Sequence, residues 1–325
     1  MSLLEVEDLH VWYRSRSGEE TQVIRGIDMV LNPGDRLGLV GESGCGKSTT
    51  VMALLGLLPP NATVAGRIKF RGIDLLAGGE RAFRARSWTD IAMVFQGSMN
   101  TFNPVRRVNA QVADAIHARA GAPRREALER ANELLASVGI PRSRVSSFPH
   151  EFSGGMRQRA AIALALSCDP VLLIADEPTT ALDVIVQAHI MDLLTGLCDE
   201  RGLALILVSH DLAMVLEVCS QVDVMYGGLI VESCDARRFH VSAQHPYSKL
   251  LLRSTSPTSG ITRVQVTHDA VLPTLDAAGC GYMPRCDLAV AKCACDRPTL
   301  EAHGNRQSVA CHVVPRLAKP QQQQR

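Results

Sequence analysis

Three things are scarce in this 325-residue chain, and each absence closes off a class of function. Excess charge is the first. Lys and Arg total 34 against 33 Asp and Glu, leaving +1, so no overall field draws the chain to nucleic acid. Local basic clusters such as Arg81, Arg84 and Arg86, or Arg124 and Arg125, read as solvated faces. Long apolar runs are the second. The longest, near Val51–Leu58 and Ala160–Leu166, are far too short to cross a bilayer. The opening MSLLEVEDLHVWY alternates polar and apolar residues and lacks the layout of a signal peptide. A soluble, cytoplasmic protein is expected, with any membrane role peripheral. Internal repeats are the third absence, which excludes a solenoid.

What is present is ordinary globular material: 46% hydrophobic and 21% charged residues, enough to bury a full core. Continuous apolar runs at Arg36–Val40, Ile91–Phe95, Val171–Ala175 and Leu203–Val208 read as strands buried on both faces of a parallel sheet. The opening segment and Gly66–Phe70 alternate, as antiparallel strands with one wet face do. No strand pattern occurs between Pro104 and Phe152. There RREALERANELLASVG sets Leu128, Ala131, Leu134, Leu135 and Val138 on one helical face, which predicts an inserted helical subdomain. After Tyr247 the periodicity fades, and LAKPQQQQR closes the chain as a polar tail expected to be disordered. A boundary near Ser254 divides the chain into residues 1–253 and a C-terminal extension, 254–325.

GESGCGKS, Gly41 to Ser48, fits G-x-x-x-x-G-K-[ST] and stands between a strand and a helix opening near Lys47, the setting that distinguishes a P-loop from a chance turn. Glycines let backbone N–H groups turn inward around a phosphate, and the helix N-terminus adds partial positive charge. Gly41, Glu42, Ser43, Gly44, Cys45, Gly46, Lys47, Ser48 and Thr49 are therefore the candidate nucleotide-binding residues. Lys47 would reach the β- and γ-phosphate oxygens, and Ser48 would ligate Mg²⁺. VLLIADEP ends a buried strand in two carboxylates at the sheet edge where α/β proteins bind ligands. Asp176 suits the Mg²⁺ site, and Glu177 suits the base or water-positioning residue for attack on the γ-phosphate. As a bland alternative, the pair could cap a helix; beside a P-loop that reading is weaker.

PHEFSGGMRQRAAIALALSCDPVLLIADEPTTALDV, Pro149 to Val184, resembles the signature region of ATP-binding cassette (ABC) proteins. The resemblance covers about Leu3 to Leu252. It implies a RecA-like P-loop NTPase core of α/β class, with an antiparallel β subdomain and an inserted helical subdomain, joined here to a small cysteine-rich C-terminal extension. Ser153, Gly154 and Gly155 stand at the family's signature tripeptide, a second anion site at a helix N-terminus. The family's head-to-tail dimer would set each ATP between one subunit's P-loop and the other's Ser153–Gly155. Tyr13 resembles the aromatic that stacks on adenine, though in an edge strand it serves packing equally well. Gln96 matches the residue that contacts Mg²⁺ and the attacking water. Ala181-Leu182-Asp183 resembles the loop crossing the dimer interface, and His210 the switch histidine at the γ-phosphate. Two departures stand out: Met156 replaces a common glutamine, and Gly97-Ser98-Met99-Asn100 differs from the usual acidic-proline wording.

The phrases SMNTFNPV, FPHEFSGGMRQR and HPYSKLLL, with GCGYMPRCDLAVAKC…VACH, resemble the oligopeptide/dipeptide/nickel importer ATPases. That branch implies a second ABC ATPase subunit, two transmembrane permease subunits, an extracytoplasmic substrate-binding protein, no nucleic acid, and a place on the cytoplasmic face of the membrane. Peptides are the expected cargo; nickel chelates and some sugars also fit. Five of ten cysteines fall in the extension, and Cys280, Cys286, Cys293 and Cys311 are spaced C-x5-C-x6-C-x17-C. Four thiolates suit zinc or a cubane cluster, and the branch precedent favours [4Fe–4S] over zinc or bare thiols. Cys295 is left over. Two other readings compete. A soluble ABC ATPase of nucleic-acid repair or translation would need a second cassette or a long coiled-coil insertion, and a pure redox module leaves the cassette motifs unexplained.

Overall fold

The computed structural model describes residues 1–95, 97, 101–180, 182–255, 278–304 and 306–314. Gln96, Ser98, Met99, Asn100 and Ala181 lie outside them, so the expectations placed on Gln96 and on the first residue of the Ala181–Asp183 loop are not addressed by the structure.

Two sheets organise the chain. Strands β1 (Leu4–Arg14), β2 (Glu20–Leu31), β4 (Ala62–Phe70) and β5 (Ile73–Asp74) form an antiparallel sheet in the order β2-β1-β4-β5. The larger sheet is built on β3 (Arg36–Val40), β6 (Ile91–Val94), β7 (Leu172–Asp176), β8 (Ala204–Ser209) and β9 (Gln221–Tyr226), in the parallel order β9-β3-β8-β7-β6. β10 (Leu229–Asp235) adds antiparallel to β9, and β12 (Ser308–Val309) and β11 (Glu301–Ala302) continue that edge. The sheet thus has eight strands, two of them from the far end of the chain.

The parallel strands carry apolar residues on both faces because both faces are covered. In β8, Leu205 and Leu207 enter one core while Ala204, Ile206 and Val208 enter the other. Each such fully buried leucine or isoleucine contributes about 1.5–3 kcal/mol. The second core joins the antiparallel sheet to the larger one through Leu4, Leu9, Ile24 and Ile68. The strands expected from apolar runs occur with ends shifted by no more than one residue: Val171–Ala175 becomes Leu172–Asp176, which draws the first acidic residue into the strand.

After a short helix α2 (Gly79–Arg86), helices α3 (Val108–Ala120) and α4 (Arg124–Ser137) pair in the region that lacked strand signals. At 13 and 14 residues they are too short for a coiled-coil arm. The buried row of α4 is Ala127, Ala131 and Leu135, and Leu128, expected inside, is 40% exposed. The i, i+4 row starting at Ala127 enters the core shared with α3, and this turns Leu128 outward. Among the described residues no helix is long and apolar enough to cross a membrane.

Candidate nucleotide site

The loop after β3 runs into helix α1 (Lys47–Leu55), which begins at the lysine itself. Gly46 caps it with φ 112°, and a Cβ there would lie 2.7 Å from Ile24 Cδ1, so only glycine makes the turn. No side chain caps α1, which leaves its first amides free to meet an anion. Ser43, Gly44 and Ser48 are exposed, Glu42 and Thr49 half-buried, and Gly41, Cys45 and Lys47 buried. The Lys47 ammonium folds back on the loop, donating to the carbonyls of Gly41 (2.7 Å) and Glu42 (3.0 Å). Burial pushes the Cys45 thiol up, so it packs here as a neutral group.

Asp176 ends β7 buried, and its Oδ1 has no hydrogen-bond partner. Desolvation raises its pKa, against a hydrogen bond from Ser48, while Glu177 raises it further and Lys47 pulls it down. A buried carboxylate oxygen without a donor, touching the hydroxyl that follows the P-loop lysine, is a site short of one cation. Asp176 and Ser48 therefore fit Mg²⁺.

Glu177 takes φ 45°, a left-handed conformation that costs about 1–3 kcal/mol for a non-glycine residue. Its N–H donates to Val208 O at 2.9 Å, which ties it to the end of β8. One carboxylate oxygen accepts from Thr180 Oγ1 (3.0 Å), and the other lies 3.2 Å from Nδ1 of His210, which is exposed. The turn aims the carboxylate along the sheet edge toward the histidine that follows β8. Thr180 was not foreseen; a hydroxyl three residues on gives no signal apart from this turn.

Ser153 caps helix α5 (Gly154–Ala165), accepting from the Met156 amide at 3.3 Å. Asp183 caps helix α6 (Val184–Arg201) in the same way, from Val186 at 3.0 Å. A Cβ on Gly155 would lie 2.7 Å from Val186 Cγ1, so the tripeptide's second glycine lets the two helices approach. Tyr13 is half-buried and packs on the second core.

The cysteine expectation is met only in part. Cys280, Cys286, Cys293 and Cys311 do line one small pocket, with His245, Tyr282 and His312. Among the described residues, however, no three His, Cys, Asp or Glu side chains are placed to hold a metal ion. Cys280 and Cys286 pack against the first core, and burial pushes the Cys280 and Cys311 thiols up. All ten cysteines are free, and Cys295 is exposed.

A P-loop motif after β3, an acidic pair where β7 ends and a histidine after β8, the strand between them, define a P-loop ATPase of the ATP-binding cassette class. Comparison with known proteins agrees. The profile described as ABC transporter matches residues 24–180, and that described as oligopeptide/dipeptide transporter, C-terminal region, matches residues 231–293. A putative peptide import ATP-binding protein of Brucella abortus is 42% identical over 325 residues, covering 94% of this chain and 96% of that protein. The oligopeptide transport ATP-binding protein OppD of Salmonella typhimurium is 42% identical, covering 95% and 93%. The dipeptide transport ATP-binding protein DppD of Escherichia coli is 38% identical, covering 96% and 97%. Among solved structures, a dimeric ATP-binding cassette in a post-hydrolysis state with ADP and Pi superposes with TM-score 0.64 at 25% identity, over 72% of this chain and 99% of that one. CbiO1 of Clostridium perfringens gives TM-score 0.64 at 29% identity, over 74% and 91%. The chain belongs to the ATP-binding subunits of ABC transporters, in the oligopeptide/dipeptide branch, and is an ATPase.

Proposed function

We propose that this chain energises a binding-protein-dependent importer of di- or oligopeptides from the cytoplasmic face of the membrane, with a second ABC ATPase subunit, two permease subunits and an extracytoplasmic binding protein. The observation that carries this is the end-to-end likeness to peptide-import ATP-binding proteins, C-terminal region included. In the reading, Gly41–Thr49 cradle the phosphates, with Lys47 swinging from the Gly41 and Glu42 carbonyls to the β/γ oxygens. Ser48, Asp176 and Gln96 hold Mg²⁺, which supplies charge neutralisation at the transferred phosphoryl group. Glu177 accepts the proton of the attacking water, His210 steadies the carboxylate, and Tyr13 stacks on adenine.

The partner cassette's Ser153, Gly154 and Gly155 close over the γ-phosphate, with Asp183 at the seam. Val184 and Ile185, directly after Asp183, are 80% and 70% exposed, an apolar step that a facing subunit would cover. A [4Fe–4S] cluster on Cys280, Cys286, Cys293 and Cys311 belongs to the proposal because all four line one pocket, and holding it would require the thiols to draw together there. Anaerobically purified protein without iron or broad visible absorbance would remove that part alone.

The test of function is reconstitution with the permeases in proteoliposomes. ATP hydrolysis should rise when binding protein and peptide are both present. Basal hydrolysis that peptide-loaded binding protein leaves unchanged would refute peptide import.

A further inference from the structure

The second residue of the P-loop is held by the opposite end of the chain. Arg285 lies in a one-turn helix, Met283–Arg285, between Cys280 and Cys286. Its guanidinium meets the Glu42 carboxylate as a fork, Nη1 to Oε2 at 2.8 Å and Nη2 to Oε1 at 2.9 Å. Neither partner is free to wander. The guanidinium stands 6.0 Å from the Tyr226 ring centroid and 5.8 Å from that of Tyr282. Those rings pack on fully buried Tyr247, whose hydroxyl accepts the Glu42 N–H at 2.8 Å. The Glu42 carbonyl in turn accepts from Lys47. One residue of the phosphate loop thus has its amide, carbonyl and carboxylate all engaged, two of the three by residues beyond the phosphate motif.

A carboxylate in a loop that must receive a polyanion is electrostatically adverse unless a cation neutralises it. We propose that Arg285 is a positioning residue of the ATP site: by clamping Glu42 it fixes the phosphate loop and cancels a charge that would otherwise repel the triphosphate. The C-terminal extension then completes the nucleotide pocket. The bidentate geometry makes arginine the suited residue, since lysine supplies charge without the fork. This inference rests on the reading of Gly41–Thr49 as the ATP site.

The test is ATP affinity of the full chain, measured with a fluorescent ATP analogue, together with the KM and kcat of hydrolysis. Arg285→Met keeps the apolar stem over the tyrosines and removes the charge. It should weaken binding about tenfold, or about 1.4 kcal/mol, and raise KM in step while kcat changes by less than about twofold. Glu42→Gln in the same background should recover most of that loss, because the repelling charge has gone with its partner. Arg285→Lys should fall between. A double variant binding no better than Arg285→Met, or an Arg285→Met protein binding like the parent, would overturn the proposal. Lys47→Ala separates the two readings: normal ATP binding there would sink the phosphate-loop assignment, whatever Arg285 does.

Discussion

Replacing Glu177 by glutamine tests the hydrolytic assignment with little structural disturbance. The side chains match in shape. The glutamine carbonyl can still face His210 Nδ1, now 3.2 Å from Oε1, and its amide can donate to Thr180 Oγ1, which now donates to Oε2. The backbone at φ 45° and its bond to Val208 are untouched. Exchanging one hydrogen bond for another should cost under about 1 kcal/mol of stability. Losing the group that accepts a proton from water should cost far more in rate. A general base contributes about 10²–10⁴-fold, or about 2.7–5.4 kcal/mol of transition-state stabilisation. Phosphate release at saturating ATP should therefore fall at least a hundredfold. ATP affinity should hold, and an ATP-dependent dimer should accumulate on size exclusion. Turnover within a factor of ten of the parent would refute the role of Glu177, and lost ATP binding would show that the residue supports the pocket instead.

Three further outcomes can be checked. Burial raises Asp223 from 3.8 to about 6, so its protonated form favours the fold; that contribution is present below pH 3.8 and lost as pH rises through about 6. Asp223→Asn should raise the melting temperature little near pH 4 and by several degrees above pH 7, the full gap being about 3 kcal/mol; equal shifts at both pH values would contradict this. Gly155→Ala sets a Cβ 2.7 Å from Val186 Cγ1 and should destabilise by about 1–3 kcal/mol in chemical denaturation, with Val186→Ala restoring most of it. Asp176→Asn should leave the nucleotide-free melting temperature unchanged or higher, since burial already disfavours the charge. Its Mg²⁺-dependent hydrolysis should fall at least a hundredfold, and retained activity would exclude Asp176 from the Mg²⁺ site.

Strands such as Ala204–Ser209 are legible because a parallel strand covered on both faces must be apolar along its length, and few other structures ask that of six successive residues, here Leu203–Val208. The phosphate loop was legible for a similar reason: its chemistry dictates a local string of small residues, a lysine and a hydroxyl. Helix faces were read less well. Leu128 fits the same periodicity as Ala131 and Leu135, and only the position of α3 decides that Ala127 is the inward residue. The helix Pro246–Thr255 continues where the periodicity faded, since Tyr247 and Ser248 bury themselves side by side instead of at helical spacing.

The least legible feature is how the extension meets the cassette, and the reason is physical. A two-residue strand such as Ser308–Val309 has no period to detect, yet it extends the central sheet by pairing with β10. The Arg285–Glu42 pair spans 243 positions, and neither residue needs a special neighbour to form it. Sequence reasoning reached the extension through its thiols, because metal chemistry has spacing rules. The arginine among them followed none. A phosphate loop declares itself in its own eight residues, whereas the charge that balances its glutamate can come from anywhere the fold brings near. An ATP site read from its motif alone is therefore complete in its phosphate ligands and incomplete in the groups that set its electrostatics.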